Sequence, residues 1–284
     1  AGPSTRLMDK RLIFAGASAA VALGAGAWAA VYYATYAVRS QLLGETVWRG
    51  DAGRNAVALT FDDGPSQDTV AILDLLRERD LKATFFMIGE AVERLPRVAR
   101  RVAEEGHELG NHSYSHPIYL FRSAAETARQ LERAQVVIER ATGVRPLLAR
   151  PPCGVRTRAY FRAARRLGLR TVQWDSTGHD WTRAGARDIA ARVLEEARAG
   201  SIILLHDGDS AGREDRRRTV ESLPHIIDGL AARGLRVAPL AEVVGGFESP
   251  NPRPHQSINL QPTPRGADRE QNVLRAAAGA RADS

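Results

Sequence analysis

Residues 56–65 read Ala-Val-Ala-Leu-Thr-Phe-Asp-Asp-Gly-Pro, an apolar, β-favouring run that breaks off in two adjacent carboxylates and a Gly-Pro turn. In a continuing strand neighbouring side chains point to opposite faces, so Asp62 and Asp63 can serve one pocket only where the strand ends, and Gly64-Pro65 supplies that ending. Outward from this stretch, short β-rich runs (56–61, 83–88, 107–111, 147–150, 170–174, 201–205 and 236–239) alternate with Arg- and Ala-rich amphipathic segments (68–79, 91–105, 124–141, 157–167, 186–199 and 220–233). Gly106, Gly143, Gly168, Gly200 and Gly234 stand where a helix hands over to the next strand, as helix C-caps do. Repeated strand-then-helix units imply parallel strands with right-handed crossovers, left open or closed as a barrel. The expected fold is α/β of the (β/α) barrel type, with one domain over 56–247.

The 284 residues carry 40 Lys plus Arg against 33 Asp plus Glu, a formal charge of +7. That surplus permits an anionic partner. The arginines are nevertheless spread along the predicted helices, only Arg216–Arg218 cluster, and no interleaved aromatic pattern accompanies them; nucleic acid is not expected as a partner, nor is an obligate protein partner indicated. The single cysteine, Cys153, excludes an internal disulfide. Residues 12–38 carry no charged side chain and are long enough to cross a bilayer as a tilted helix. Lys10 and Arg11 precede them, and Trp28, Tyr32, Tyr33 and Tyr36 crowd their far half, as at a membrane interface. The expectation is a cytoplasmic N-terminus (1–11), a single transmembrane anchor (12–38), a connector (39–55) and a catalytic domain outside the cytoplasm. Ala25-Gly26-Ala27 has the form of a cleavage site, which leaves a cleaved signal and a secreted protein as the rival. Residues 248–284 turn Pro-, Gln-, Asn- and Arg-rich with little apolar periodicity and are expected to form a disordered tail.

Chemistry-bearing residues fall at the C-terminal ends of the predicted strands, where parallel α/β folds gather their sites. Asp62-Asp63 follow the first. His112 and His116 follow the third, and in a helical turn that spacing puts both rings on one face, able to share an ion. Two imidazoles and a carboxylate suit zinc or a neighbouring first-row ion, with room left for water and substrate oxygen. Viewed singly, each segment has a plainer explanation: a solvated Asp-Gly turn, two unrelated histidines, or a core histidine at 206. In Leu204-Leu205-His206, strand alternation puts Leu204 and His206 on one face, and a histidine there is suited to act as a general acid. Arg150, before two prolines, fits either a structural ion pair or a partner to a catalytic carboxylate.

Together, Thr60-Phe-Asp-Asp-Gly64, His112-Ser-Tyr-Ser-His116, Arg150-Pro-Pro-Cys-Gly154, Asp180-Trp181 and Leu204-Leu-His206 resemble, in order, the motifs of the polysaccharide deacetylase family, the carbohydrate esterase family 4 enzymes that share the NodB homology domain. The resemblance runs from about residue 57 to residue 240. It implies a distorted, TIM-like (β/α) barrel that removes N-acetyl groups from an amino-sugar polymer such as peptidoglycan or chitin. It also implies one divalent ion, zinc first, with cobalt, nickel or manganese as alternatives. By the same resemblance Asp62 is the base, Asp63, His112 and His116 are the metal ligands, and Arg150 holds Asp62. Asp180 tunes His206, which is the acid, while Trp181 and Leu204 wall the acetyl pocket. Cys153 stands where the family usually has tyrosine, a position that lends its backbone N–H to the oxyanion and adjoins the substrate. An O-acetyl esterase acting on xylan or another glycan, and a non-catalytic glycan-binding barrel, are the alternative readings.

Overall fold

The computed structural model describes residues 25–245 apart from 213. Among the described residues the eight strands are β1 (Ala56–Asp62), β2 (Thr84–Met87), β3 (Glu108–Asn111), β4 (Leu148–Ala149), β5 (Arg170–Thr171), β6 (Ser176–Thr177), β7 (Ile202–His206) and β8 (Arg236–Val237). All their pairings are parallel, in the order β5-β4-β3-β2-β1-β7-β6, with β8 beside the start of β1. The helices are α1 (Gln67–Glu78), α2 (Gly89–Arg94), α3 (Pro96–Glu104), α4 (Ala124–Thr142), α5 (Arg158–Arg166), α6 (Ala186–Glu196), α7 (Arg217–Ala232) and α8 (Leu240–Val244).

Central β1 is buried along its whole length. Alternation divides its side chains between two cores: Val57, Leu59 and Phe61 join the helices' apolar faces, while Ala56 and Ala58 face a smaller cluster with Phe86, Leu148 and Ile202. Such a curled sheet, with one face under helices and the other filled by its own side chains, matches the parallel α/β expectation. Closure does not. Successive β5 and β6 share no ladder, so among the described residues the sheet is an open half-barrel. The free edge of β5 is taken instead by Val47, which bridges Val172, donating to Thr171 O (2.9 Å) and accepting from Gln173 N–H (2.7 Å). An edge covered in this way is closed to another strand.

Other differences have local causes. The helix expected over 91–105 is two, α2 and α3, because Pro96 lacks an N–H and forces Leu95 out of the helical region (φ −130°, ψ 57°). Two-residue β6 and five-residue α8 are too short to register as periodicity.

Of the expected anchor, residues 12–24 lie outside the described residues, as does the whole of the expected tail, 248–284. Residues 25–36 are helical, and no helix among the described residues is long and apolar enough to cross a membrane. After this helix the chain is fastened to the domain. Arg156, 1% exposed, donates through Nη1 to Val38 O (3.2 Å) and through Nη2 to Ala37 O, while its backbone N–H donates to Thr35 O (3.2 Å). A helix leaves its last carbonyls without internal partners; the Arg156 N–H satisfies that of Thr35, and the guanidinium takes the two carbonyls just past the helix, where its charge complements the negative end of the dipole. Further along, Arg49 approaches buried Asp175 at 3.6 Å, and Gly50 N–H donates to Gly200 O. Replacing Arg156 by Ala strips two carbonyls of a charged donor. We expect a loss of about 3 kcal/mol in urea unfolding and new protease cleavage within 25–40; an unchanged midpoint would mean the clamp contributes nothing.

Candidate metal centre and active-site pocket

Strand register brings the first two groups together. Asp62, the last residue of β1, pairs with His206, the last of β7, so both side chains rise on one face; Leu204 shares that face, whereas Leu205 points into the helical core. Asp63 leaves the strand in the left-handed region (φ 76°) and thereby turns into the same pocket. The loop after β3 supplies the histidines, not through a helical turn as the spacing suggested. Ser113 (φ 69°) and His116 (φ 55°) are left-handed. The turn is set by Asn111 Oδ1, which accepts from Ser113 N–H (2.9 Å), and by Ser113 Oγ, which accepts from His116 N–H (3.0 Å). The two rings end with centroids 5.0 Å apart.

Asp63, His112 and His116 each offer one ligand atom, all within 4.8 Å of one another. Asp63 Oδ1 lies 3.4 Å from His112 Nε2 and 3.2 Å from His116 Nε2, and it is buried with no hydrogen-bond donor among the described residues. His112 Nδ1 faces Arg150 O at 2.7 Å. A carbonyl only accepts, so Nδ1 carries the proton and the Nε2 lone pair is aimed at the cluster, the tautomer a metal ligand needs. Burial, followed by neighbouring His112, pulls the His116 pKa down to about 4, which keeps that ring neutral. For His112 burial works against charge, but the carboxylates of Asp62 and Asp63 outweigh it and push its pKa up. Burial likewise opposes ionised Asp63, yet His112, His116 and His206 hold its carboxyl below the usual range. Three converging electron-pair donors, two of them buried and the third half-buried, with Asp63 Oδ1 left without a hydrogen-bond donor, fit a divalent cation.

On the pocket's other sides stand two oriented pairs. Fully buried Arg150 donates through Nη1 to Asp62 Oδ1 (2.7 Å) and Thr60 Oγ1 (2.9 Å), and through Nη2 to Gln173 O (3.1 Å). Asp62 Oδ2 is left facing the cluster, 3.7 Å from His112 Nε2. Of the two sequence readings for Arg150, an ion pair with Asp62 is what the structure contains. Asp180 accepts from His206 Nδ1 (2.8 Å), His206 N–H (2.7 Å) and Thr219 Oγ1 (2.8 Å). Burial disfavours the charged ring of His206, but Asp180, then Asp63 and Asp62, overcome it and raise its pKa to about 9; at neutral pH the ring carries a proton to give. Trp181 packs edge-on against it, centroids 5.4 Å apart. Cys153, exposed and left-handed (φ 53°), lines the cavity of about 390 Å³ with Gly154, Trp174 and Leu204.

All ten sequence-proposed residues therefore meet around one cavity or directly support it. Two residues to which the sequence reading gave no role also matter. Trp174 forms part of the wall. Fully buried Asp207 accepts from Gly64 N–H (3.1 Å) and Thr69 Oγ1 (2.6 Å), and its own N–H donates to Asp62 O (3.1 Å). It stitches the ends of β1 and β7 together; its position directly after His206 was the available signal.

The fold and site define a parallel α/β half-barrel with an Asp-His-His cluster and flanking carboxylate and imidazole at its strand ends. Comparison with known proteins names the class. The polysaccharide deacetylase family model matches residues 49–172. A peptidoglycan-N-acetylglucosamine deacetylase of Bacillus cereus is 37% identical over 205 residues, 71% of this chain and 93% of its own. A chitooligosaccharide deacetylase of Azorhizobium caulinodans is 35% identical over 198 residues, covering 66% and 93%. A crystal structure of a peptidoglycan N-acetylglucosamine deacetylase superposes with a TM-score of 0.66 at 34% identity, covering 70% of this chain and 92% of that one. This chain belongs to the polysaccharide deacetylase family.

Two outcomes follow from the geometry. Zinc at about 100 times its Kd should stabilise the protein by about 2.7 kcal/mol, read as a rise in melting temperature, and the rise should vanish in His116→Ala. Because the His206 pKa is raised above 6.5, its pairing with Asp180 stabilises the fold fully below that pH and is lost as pH climbs through about 9. In metal-free Asp180→Asn the imidazole should titrate nearer 6.5 by NMR; a value still near 9 would assign the shift to another group.

Proposed function

We propose that this protein is a divalent-metal-dependent hydrolase that removes N-acetyl groups from N-acetylglucosamine units of peptidoglycan or a chitin-like polymer. The observation that carries the reading is the convergence of Asp63, His112 and His116 on one point with Asp62 on one side and His206 on the other. A divalent ion held by Asp63, His112 and His116 would supply the Lewis acidity that polarises an amide carbonyl and acidifies water. Asp62, oriented by Arg150, accepts the proton of the attacking water through its free Oδ2. His206, held by Asp180 through Nδ1, presents Nε2 to the leaving nitrogen and protonates it, since an amide nitrogen departs poorly as an anion. The backbone N–H of Cys153 is the donor for the developing oxyanion, a role open to any residue but proline. Leu204 and Trp181 wall a space suited to a methyl group.

The names of both relatives, each acting on an N-acetylated glycan, support N-deacetylation over ester cleavage. The uncharged residues 12–38 support a membrane-anchored enzyme whose domain lies outside the cytoplasm. The test is acetate release from N-acetylglucosamine oligomers, peptidoglycan and acetylxylan, with and without chelator. Asp62→Asn should retain zinc and lose roughly 10²–10⁴-fold in kcat. His206→Ala should lose as much on amides, and activity surviving on acetylxylan alone would favour the esterase.

A further inference from the structure

The polar face of α5 is made of Arg158, Arg162, Arg165 and Arg166, while its other face buries Tyr160, Phe161, Ala163 and Ala164. All four arginines are exposed. Among the described residues Arg158, Arg162 and Arg165 have no acidic partner, and Arg166 has a 3.9 Å approach to exposed Glu132. Between α5 and the first turns of α4 lies a groove of about 440 Å³, with an alanine floor (124, 125, 128 and 159) and a rim of Arg162, Arg165 and Arg166. None of these residues lines the active-site pocket, and catalysis gives no reason for an unpaired cationic rim.

A second surface lies upstream. On the helix over 25–36, Trp28, Tyr32 and Tyr36 form a ladder, with stacked centroids 5.4 and 5.1 Å apart and exposures of 69%, 53% and 36%. Aromatic rings with polar edges, exposed at the end of an uncharged run, suit the membrane–water boundary. Arg156 joins the two surfaces. It holds the carbonyls of Ala37 and Val38, and α5 begins two residues later, so the clamp and the arginine-bearing helix follow one another directly along the chain.

We propose that α5 and its arginine-rimmed groove dock on anionic phospholipid headgroups of the membrane that the N-terminal segment enters, with the aromatic ladder in the interface and Arg156 locking both into one body. The inference rests on the anchor reading above. Charge complementarity selects the occupant: Arg162 and Arg165, without acidic partners, and Arg166, with only a 3.9 Å approach to exposed Glu132, rim a floor of alanines that offers no hydrogen-bonding side chain. Cys153 and Gly154 lie in the same loop as Arg156, so docking holds the catalytic pocket at a set height above the bilayer.

The full chain is placed in vesicles of phosphatidylcholine, alone or mixed with phosphatidylglycerol, with a donor dye on Cys153 and acceptors on the headgroups. Energy transfer should be higher on the anionic vesicles and fall with added salt. Arg162→Gln/Arg165→Gln/Arg166→Gln, with an unchanged melting temperature, should lower the docked-to-undocked ratio roughly 100-fold and return transfer to the neutral-lipid level. Equal transfer on both lipids, or a gain that survives the triple variant, overturns the docking. Failure to float with phosphatidylcholine vesicles overturns the anchor reading itself. If soluble polyphosphate binds the wild type and not the triple variant while both lipids give equal transfer, the groove serves an anionic polymer and the proposal falls.

Discussion

The register between β1 and β7 governs everything at this site. Ala58 to Asp62 pair one to one with Ile202 to His206, and Leu59, Phe61, Ile203 and Leu205 meet in one core. A slip of β7 by a single residue would turn Ile203 and Leu205 away from the helices and from Leu59 and Phe61, so hydrophobic burial specifies the register. The same register sets Asp62 beside His206. Reactive geometry is thus inherited from an apolar pattern, and only its last few ångströms are set by polar contacts. Asp207 makes those contacts, while Gly208 allows the two strand ends to close: a Cβ there would meet Asp63 O at 2.4 Å.

Much of this was legible in sequence because parallel strands deliver their C-terminal ends to one side. Residues placed just after each β-rich run had to meet, whatever the curl of the sheet. What sequence left hidden depends on distant partners or on equal local evidence. A gap of three residues fits a helical turn and the left-handed turn actually formed by Ser113 and His116 equally well. The burial of Asp207 is decided by Gly64, 143 positions away. The open edge follows from Val47 reaching Val172, and residues 39–55, which read as a polar connector, carry contacts with β5, α5 and the β7 entrance that no local pattern announces.

Charge explains why these groups depend on one another. Buried Asp62 has Arg150 as its counter-charge, and Asp180 has the protonated ring of His206. Asp63 has no arginine or lysine against it among the described residues and leans on imidazoles alone: His116 stays neutral, while Asp62 and Asp63 together push the pKa of His112 up. An ionised carboxylate at that depth is costly unless a cation sits against it. The excess negative field is visible next door: burial first, then Asp63 and Asp62, push the Asp207 carboxyl up to about 7. A dication held by Asp63, His112 and His116 would act on Asp207 in the opposite sense to those two carboxylates and favour its ionised form. That form accepts from Gly64 and Thr69, so an ion bound there would also tighten the stitch between the strands that carry Asp62 and His206.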